Sequence, residues 1–347
     1  MNDEQYLAWL RDQSAIHNVI LSAGVNVDGV EMTREISKFP FVTTKDDSRA
    51  NEPHIAAFKG GMSLTEEVSL TGAAGLSYGD AEIENEDGSR DGWLNHIWKN
   101  RRIEAFAGDP RWPRAQYRSI FKGVIADIDT KDTRTLNIKL RDMIERLNFP
   151  LSEETLGGTG TNKAAIKPLL FGECFNITPL LTNPATLEYQ IHNGPVEDIY
   201  EVRDNGKPVA IIKHLASGKF NLTALPLGTI TVSAQGDKFG GIYRDTIAQL
   251  VARVATGFGS TTERLTEADI DTANFAAFDA AHQQAVGLYV TDGIDVIAAI
   301  QKLAASVGAQ ALMSRQGKLR LIQISLPAPG VPTMITPAQM RGRDLKL

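Results

Sequence analysis

The glycine-rich segment Gly157–Lys163 is the first candidate for chemistry in this chain, because its composition is that of a phosphate-binding loop. A P-loop needs Gly directly before its Lys and Ser or Thr directly after it. Here Asn162 precedes Lys163 and Ala164 follows it. A dinucleotide-binding turn would need a third Gly where Lys163 stands, between a strand and a helix. The pattern therefore favours a linker loop over a nucleotide site.

Two acidic segments are candidates for a bound cation. In 127–132 the fifth and sixth positions are Lys131 and Asp132, where a calcium loop needs an oxygen ligand and Gly. The segment 85–92 (NEDGSRDG) is better explained by a turn and by the cap of a following helix, with a bound ion as the weaker alternative. We therefore expect no metal site and no cofactor.

The single cysteine, Cys174, cannot form an internal disulfide. A catalytic thiol would need a lowered pKa and a contacting base such as His192 or His214. A lone Cys in an apolar strand is usually a small core residue, so we predict a buried structural role. Glycoside hydrolysis stays an alternative because the 42 acidic residues always offer carboxylate pairs. We expect no catalytic residues and no enzymatic activity.

The bulk composition restricts the partners. Hydrophobic residues make up 42% of the 347 residues and charged residues 22%, the balance of a globular protein with two or three domains. The net charge of −6 argues against specific nucleic-acid binding, and the basic run Lys99–Arg102 is better explained as favourable charge at a helix end. No apolar run approaches the roughly 20 residues of a membrane span, and the acidic N-terminus is no secretory signal.

Period-two alternation dominates the chain up to Pro150. In Leu136–Arg141 the apolar side chains occupy alternate positions, which is typical of a half-buried antiparallel strand. One helix interrupts the strands, with Asp91 as its N-cap and with Trp93 and Trp98 at helical spacing. We assign both tryptophans to the core of a β-barrel, with an interface role as the alternative.

Beyond Pro150 the pattern changes twice. The hairpin signal Asp204–Gly206 lies within a second run of strands, and from Tyr243 helical spacing takes over, with helices starting near Thr266 and Asp292. The fold class is mainly β with an α+β module. The predicted segments are an N-terminal helix over 1–17, a barrel with its inserted helix over 18–150, a linker loop over 151–166, a second β-rich segment over 167–240, the α+β module over 241–326, and an extended connector over 327–347.

Several stretches resemble the tail-tip and baseplate hub proteins of long-tailed bacteriophages and related gene transfer agents. Each motif alone is a weak signal, but their order and spacing along the chain are together specific. The first contains SYGDAEIENEDG, DGWL, WKNRR and GDPRWP, the second FKGVIADID and LRD, and the third PLLFGE, NITPLL, YQIHNGPV and VRDNG. The segment Ile294–Ile324 also fits the α+β domain of these proteins. The resemblance covers about Asn18 to Ile324.

The resemblance implies a tail-tube-like barrel whose copies form a ring, beside an α+β domain without an enzymatic role. Family members usually continue into a second such barrel, and Asp344–Leu347 has the pattern of a starting strand. Two barrels per chain would form a pseudo-sixfold ring as a trimer, which is favoured, whereas one barrel per chain would suggest a hexamer. Expected partners are the distal tail, tape measure and tip or fibre proteins, in a virion tail tip assembled from protein made in the host cytoplasm.

Ring interfaces are large and carry aromatic anchors. Trp112, between Pro110 and Pro113, and Tyr117 are therefore the candidate interface residues. Two functions of other classes stay as alternatives. One is a tail-associated cell-wall hydrolase with paired carboxylates in a deep cleft. The other is a carbohydrate- or receptor-binding tip module with aromatic side chains on its loops.

Overall fold

The first half of the protein forms one large sheet; the computed structural model describes the chain over residues 2–67 and 75–324. The strands of this half are β1 (Asn18–Val27), β2 (Val30–Ser37), β3 (Ile55–Ala56), β4 (Phe58–Gly60), β5 (Leu64–Glu67), β6 (Gly75–Tyr78), β7 (Ala81–Glu84), β8 (Arg102–Gly108), β9 (Arg118–Asp132) and β10 (Thr135–Arg141). β5 and β6 pair with each other, and the other eight form a sheet in the order β3-β2-β1-β8-β9-β10-β7-β4.

This eight-stranded sheet curls into a nearly closed barrel, because its two edge strands are neighbours in the chain. Only Ala57 separates β3 from β4. The Ala57 N–H donates to the Ser37 carbonyl at 3.1 Å, and the Ala57 carbonyl accepts from the Glu84 N–H at 2.7 Å. A barrel of eight strands is just wide enough to be filled by side chains. The mainly β fold predicted from the sequence is confirmed.

The barrel interior confirms the assignment of both tryptophans to the core. Trp93 and Trp98 are buried in one cluster with Phe121, Ile103 and Ile138. The Trp98 indole N–H donates to the Trp93 carbonyl at 2.8 Å, which satisfies its polar atom inside the apolar cluster.

The prediction of an inserted α-helix around these tryptophans is wrong. Residues Asp91–Asn95 form a 3₁₀ helix with Arg90 in the N-cap position, and the Asp91 carboxylate accepts from the Asn85 side chain instead of capping. The Ile97 N–H, which an α-helix would direct to the Trp93 carbonyl, donates to Asn26 of β1 at 3.0 Å. Pairing with the sheet therefore replaces the helix.

The predicted N-terminal helix is present as α1 (Asp3–Arg11). Asn2 caps it, and the Asn2 and Gln5 side chains bond reciprocally to each other's backbone N–H groups as a capping box. The Tyr6 hydroxyl donates to the Ala107 carbonyl of β8 at 3.1 Å. α1 therefore lies against the barrel end at which β1 begins, since Ala107 pairs with Val19.

The segment 151–166 lacks regular strands but is tied to its neighbours. The Leu151 N–H donates to the Ile294 carbonyl at 2.7 Å, and Thr155 bridges to Ile166. Gly157 and Gly158 have positive φ in the turn that connects Thr155 to Ile166. The glycine-rich loop is thus the closed end of an irregular hairpin, with no helix after it.

Strands of the second half form two further sheets around a core of their own. They are β11 (Leu169–Ile177), β12 (Leu180–Asn183), β13 (Glu188–Gln190), β14 (Val196–Asp204), β15 (Lys207–Pro208), β16 (Ile211–His214), β17 (Lys219–Leu222), β18 (Ile230–Phe239) and β19 (Ile242–Tyr243). The predicted hairpin turn is confirmed, since Asn205 and Gly206 both have positive φ between β14 and β15.

Helices enter the chain after β19. They are α2 (Ile247–Gly257), α3 (Thr272–Ala281) and α4 (Val296–Ala305), accompanied by β20 (Gly287–Val290) and by the hairpin of β21 (Ala309–Met313) with β22 (Leu319–Gln323). Their starts differ from the prediction. The capping box of Thr266 and Asp269 opens only a three-residue 3₁₀ helix, and the N-cap of α4 is Asp295 instead of Asp292. The predicted connector at 327–347 lies outside the described residues.

The core of the helical part extends into the barrel. α2 and α4 bury Val251, Val254, Ile300 and Leu303 in a cluster that also contains Val124 of β9 and Met143 and Leu147 of a 3₁₀ helix after β10. β20 pairs with β11 of the second half. The barrel wall and the helices therefore share buried contacts, although the domain boundaries themselves stay predictions.

We expect Ile300→Ala to destabilise the protein by about 2–5 kcal/mol, because Ile300 is fully buried between α4 and this shared core. Urea unfolding followed by circular dichroism measures the loss. The matched control Ile297→Ala removes the same atoms from a partly buried position on the same helix and should cost less. Equal losses in the two variants would contradict this account of the α4 core.

Asp142 lies at the same junction and provides a test by pH. It is buried, accepts from the Ile144 N–H at 3.2 Å, and has a pKa raised to about 7 by that burial. The folded protein therefore binds this proton more tightly than the unfolded chain, so stability from Asp142 is complete below about pH 4 and is lost towards pH 7.

We expect Asp142→Asn to match the wild type at pH 4, since both side chains are then neutral. At pH 8 the variant should be more stable by on the order of 1–4 kcal/mol, because it escapes the cost of a buried charge. Thermal unfolding of both proteins across this range tests the expectation. Parallel stability curves at every pH would contradict it.

Candidate functional site

The two predicted interface residues lie at one end of the barrel, where β8 ends and β9 begins. Trp112 and Tyr117 flank the 3₁₀ helix Arg114–Gln116 in the connection between these strands. The Trp112 N–H donates to the Asp109 carbonyl at 2.9 Å. The structure thus brings both residues to the end that α1 covers.

Tyr117 is packed inside the chain, with only 6% of its surface exposed. Its hydroxyl accepts from the Asn18 side chain at 3.1 Å, and its ring meets Phe41 edge-on at 5.2 Å. Burial raises the pKa of Tyr117 to about 12. Gly108 makes room for the ring, because a Cβ there would lie 2.6 Å from it. In the single chain Tyr117 therefore anchors β1 to the β8–β9 connection.

Trp112 is half-buried and reaches α1. Its ring lies 4.6 Å from that of Trp9 and 6.3 Å from that of Tyr6. The loop beneath it is fixed by Asp109, whose buried carboxylate accepts from the Arg111 guanidinium at 2.7 and 2.8 Å. The Arg111 guanidinium lowers the pKa of Asp109 to about 2. An interface role stays a prediction for both Trp112 and Tyr117.

A strand edge is left open at the opposite end of the barrel. β3 pairs with Ile36 and Ser37, so within the described residues Val30–Arg34 of β2 have a backbone partner on the β1 side alone. The Ser37 carbonyl points outward to Ala57 while the Lys38 N–H points inward to Val19. Because the register with β1 is unbroken, Glu31, Thr33 and Glu35 also direct their N–H groups outward.

Exposed apolar side chains lie on and near the strand with the open edge. Val30 and Ile97 are 60% and 55% exposed, and Met32 and Leu94 are also exposed. Val30 and Met32 lie on the edge strand itself, whereas Ile97 bridges to Asn26 on the other side of β1 from β2. The combination of a free edge and apolar side chains is a typical site for strand pairing with another chain.

β9 also runs beyond its neighbour. β8 pairs with β9 as far as Val124, and the stretch Ala126–Asp132 pairs only with β10 within the described residues. Sequence reasoning located these strands but missed which edges stay open, since that depends on how far each neighbouring strand extends.

A second exposed feature is the loop 224–228, whose Leu225 and Leu227 are 79% and 91% exposed. The Asp204 carboxylate accepts from the Leu227 and Gly228 N–H groups at 2.6 and 2.8 Å, and the Asn205 side chain accepts from Thr229. The hairpin predicted at 204–206 thus holds an apolar loop in a fixed, protruding position.

Cys174 is only partly buried, which corrects the prediction of a buried residue. It lies where the register of β11 with β18 shifts, beside the core of the second half. Burial, and next the neighbouring Glu173, raise the pKa of its thiol to about 11. The ring nitrogens of His192 and His214 are engaged with other residues, namely Leu170, Asp237 and Asn221.

The turn assigned to 85–92 is confirmed. The Asn85 side chain accepts from the Arg90 N–H, and the Asp87 carboxylate accepts from the Ser89 N–H and hydroxyl. Among residues 2–67 and 75–324, no three His, Cys, Asp or Glu side chains are grouped so as to hold a metal ion. No helix in the described part is long and apolar enough to span a membrane.

Comparisons with known proteins give little. No family model matches the chain, and no curated protein matches it. A solved structure, the virion of a native gene transfer agent particle, contains a chain that is 12% identical to this one with a TM-score of 0.29. The match covers 67% of this chain and 84% of that chain. At this TM-score the likeness supports no statement about function.

We expect Tyr117→Phe to cost about 1–3 kcal/mol of stability, because it leaves the buried Asn18 side-chain N–H group without its acceptor. Chemical unfolding measures the loss. Tyr200→Phe, which removes a hydroxyl bonded to Glu173 at an exposed position, is the matched control and should cost under about 0.5 kcal/mol. A Tyr117→Phe protein as stable as the control variant would refute this anchoring role.

Proposed function

We propose that this protein is a structural subunit of a phage tail tip or baseplate hub, which assembles with copies of itself into a ring on the tail axis. The observation that carries the proposal is the open edge of β2 on an otherwise closed barrel. The sequence resemblance to tail-tip hub proteins supplies the biological setting. Catalysis plays no part in this function.

The open edge supports assembly for an energetic reason. Outward N–H and C=O groups beside exposed apolar side chains can pair with a strand of another chain, and monomeric proteins usually block such an edge. Here Val30 and Met32 lie on the edge strand, whose charged residues are Glu31, Arg34 and Glu35. Pairing with a neighbouring copy would satisfy the backbone groups and bury the apolar side chains together.

The protruding leucine loop suits the connecting role of a hub. Leu225 and Leu227 are aliphatic, so they match an apolar pocket of another protein better than a sugar ring, which stacks on aromatic side chains. We propose other tail proteins as the partners at this loop, namely the distal tail, tape measure or tip proteins. A trimer is the favoured ring and a hexamer the alternative.

We expect the purified wild type to form a closed ring and Thr33→Pro to prevent it. Thr33 directs its N–H outward, so proline removes a donor from the open edge and leaves the β1–β2 ladder intact. Mass photometry and negative-stain electron microscopy measure assembly, and circular dichroism verifies folding.

The matched control is Thr33→Val, which keeps the backbone N–H and should assemble like the wild type. If Thr33→Pro forms rings as well as the wild type, the edge of β2 is not part of the interface. If the wild type stays monomeric at high concentration, the proposal of a ring is wrong.

A further inference from the structure

An open cleft of about 880 Å³ lies beside α2 and is lined by five arginines, Arg102, Arg146, Arg244, Arg253 and Arg264. We call it the arginine cleft. Arg102 and Arg146 come from the barrel side, and the other three come from the β18–α2 region and from the loop after α2. Such a concentration of positive charge is notable in a chain whose net charge is −6.

Most of this charge lacks a carboxylate partner. Arg253 is well paired, with Asp237 oxygens at 2.7 and 3.1 Å. Among the described residues, Arg102, Arg244 and Arg264 form no ion pair within 4.0 Å. Glu267 is the one carboxylate among the residues that line the cleft.

Arg146 is buried, and its hydrogen bonds are incomplete. Its side chain is only 7% exposed, and its carboxylate neighbours, Glu263 and Asp269, lie at 3.6 and 3.8 Å. Its Nη1 atom has no hydrogen-bond partner in the described structure. Burial, and next the repulsion from Arg102, lower the pKa of Arg146. The Nη1 atom lies 3.8 Å from Asp269, beyond hydrogen-bond distance, so this buried cation keeps one donor free for a further acceptor in the cleft.

The chain itself carries a fitting anionic element at the outer end of β9 and β10. Its carboxylates belong to Asp80, Glu82, Glu84, Asp127, Asp129 and Asp132, and we call this element the acidic hairpin. Lys131 pairs with Glu82 and Lys139 with Asp129. Asp127 and Asp132 are exposed and have no ion-pair partner among the described residues.

The tip of the acidic hairpin is remote from Arg102 of its own chain. Arg102 lies opposite Val124 in the β8–β9 register, and Asp132 is eight residues farther along β9. At about 3.3 Å per residue, the hairpin tip projects roughly 26 Å away from the strand position of Arg102. Asp132 is therefore out of reach of Arg102 in its own chain, whereas Asp127 is three residues beyond Val124.

We propose that the arginine cleft receives the acidic hairpin of a second copy of this chain. The proposal rests on the ring assembly described above and specifies one of its contacts. Two different surfaces meet in this contact, so it is heterologous, and repeated head-to-tail it closes into a ring when the rotation between copies permits. Arginine is suited to such a contact because its guanidinium binds carboxylates through two N–H groups.

Two charge-reversed variants test the contact. Arg102→Glu/Arg244→Glu reverses the cleft, and Asp127→Lys/Asp132→Lys reverses the hairpin. Each variant alone brings like charges together and should lose at least about tenfold in self-association affinity. In an equal mixture each contact between the two variants pairs opposite charges, and the affinity of that contact should return to within about threefold of the wild type. Recovery is expected in dimers and in even-numbered assemblies, because a mixed trimer keeps one contact between like charges. Analytical ultracentrifugation measures all four samples.

The control Lys163→Glu/Lys207→Glu makes the same change of charge at exposed positions outside the cleft and should associate like the wild type. Reversed variants that associate normally would overturn the docking proposal and leave the ring intact. Recovery in the mixture without any closed wild-type ring would support docking and reject the ring. Loss without recovery, accompanied by tight binding of a single-stranded DNA oligonucleotide to the wild type alone, would assign the cleft to nucleic acid and overturn the proposal.

Discussion

The need to satisfy every backbone N–H and C=O group governs this protein. The eight-stranded sheet closes through the segment 55–60, whose β3 pairs with β2 and whose β4 pairs with β7, while Ala57 between them bonds to Ser37 on one side and to Glu84 on the other. A closed barrel has no edges, so the region near Ala57 offers nothing to a partner. The strands are of unequal length, however, and β2 extends past the point of closure. The same constraint therefore holds the barrel together and leaves the open edge at Val30–Arg34.

The shared core couples the barrel to the helical part. Val124, Met143 and Leu147 leave the barrel wall to pack with α2 and α4, so strain on one part reaches the other through close-packed side chains. The arginine cleft lies along this coupled region, with Arg146 only three residues from Met143. An anionic group bound in the cleft would contact both parts at once, which would hold their relative positions fixed in an assembly.

Much of the local structure could be predicted from the sequence. Alternation located β9 and β10, the Asn205–Gly206 turn followed from two residues that tolerate positive φ, and the size of Trp93 and Trp98 placed them in the core. The inserted helix failed because the Ile97 N–H bonds to Asn26, some seventy residues earlier in the chain. A pattern of neighbouring residues cannot show that a hydrogen-bond acceptor so far away in the sequence competes with the acceptor within the helix.

By itself, then, the sequence determined the fold class, the strand and turn positions and the apolar faces, because these follow from the side-chain period and from backbone preferences over a few residues. Only the tertiary structure decided which strand edges close and which stay open, since pairing partners are remote in sequence. It also gathered Arg102, Arg146 and Arg264 around one cleft, although more than a hundred residues separate the first two from the third. Charges spaced so widely have no sequence signature, because their proximity is created by chain topology and by the packing of one core against another.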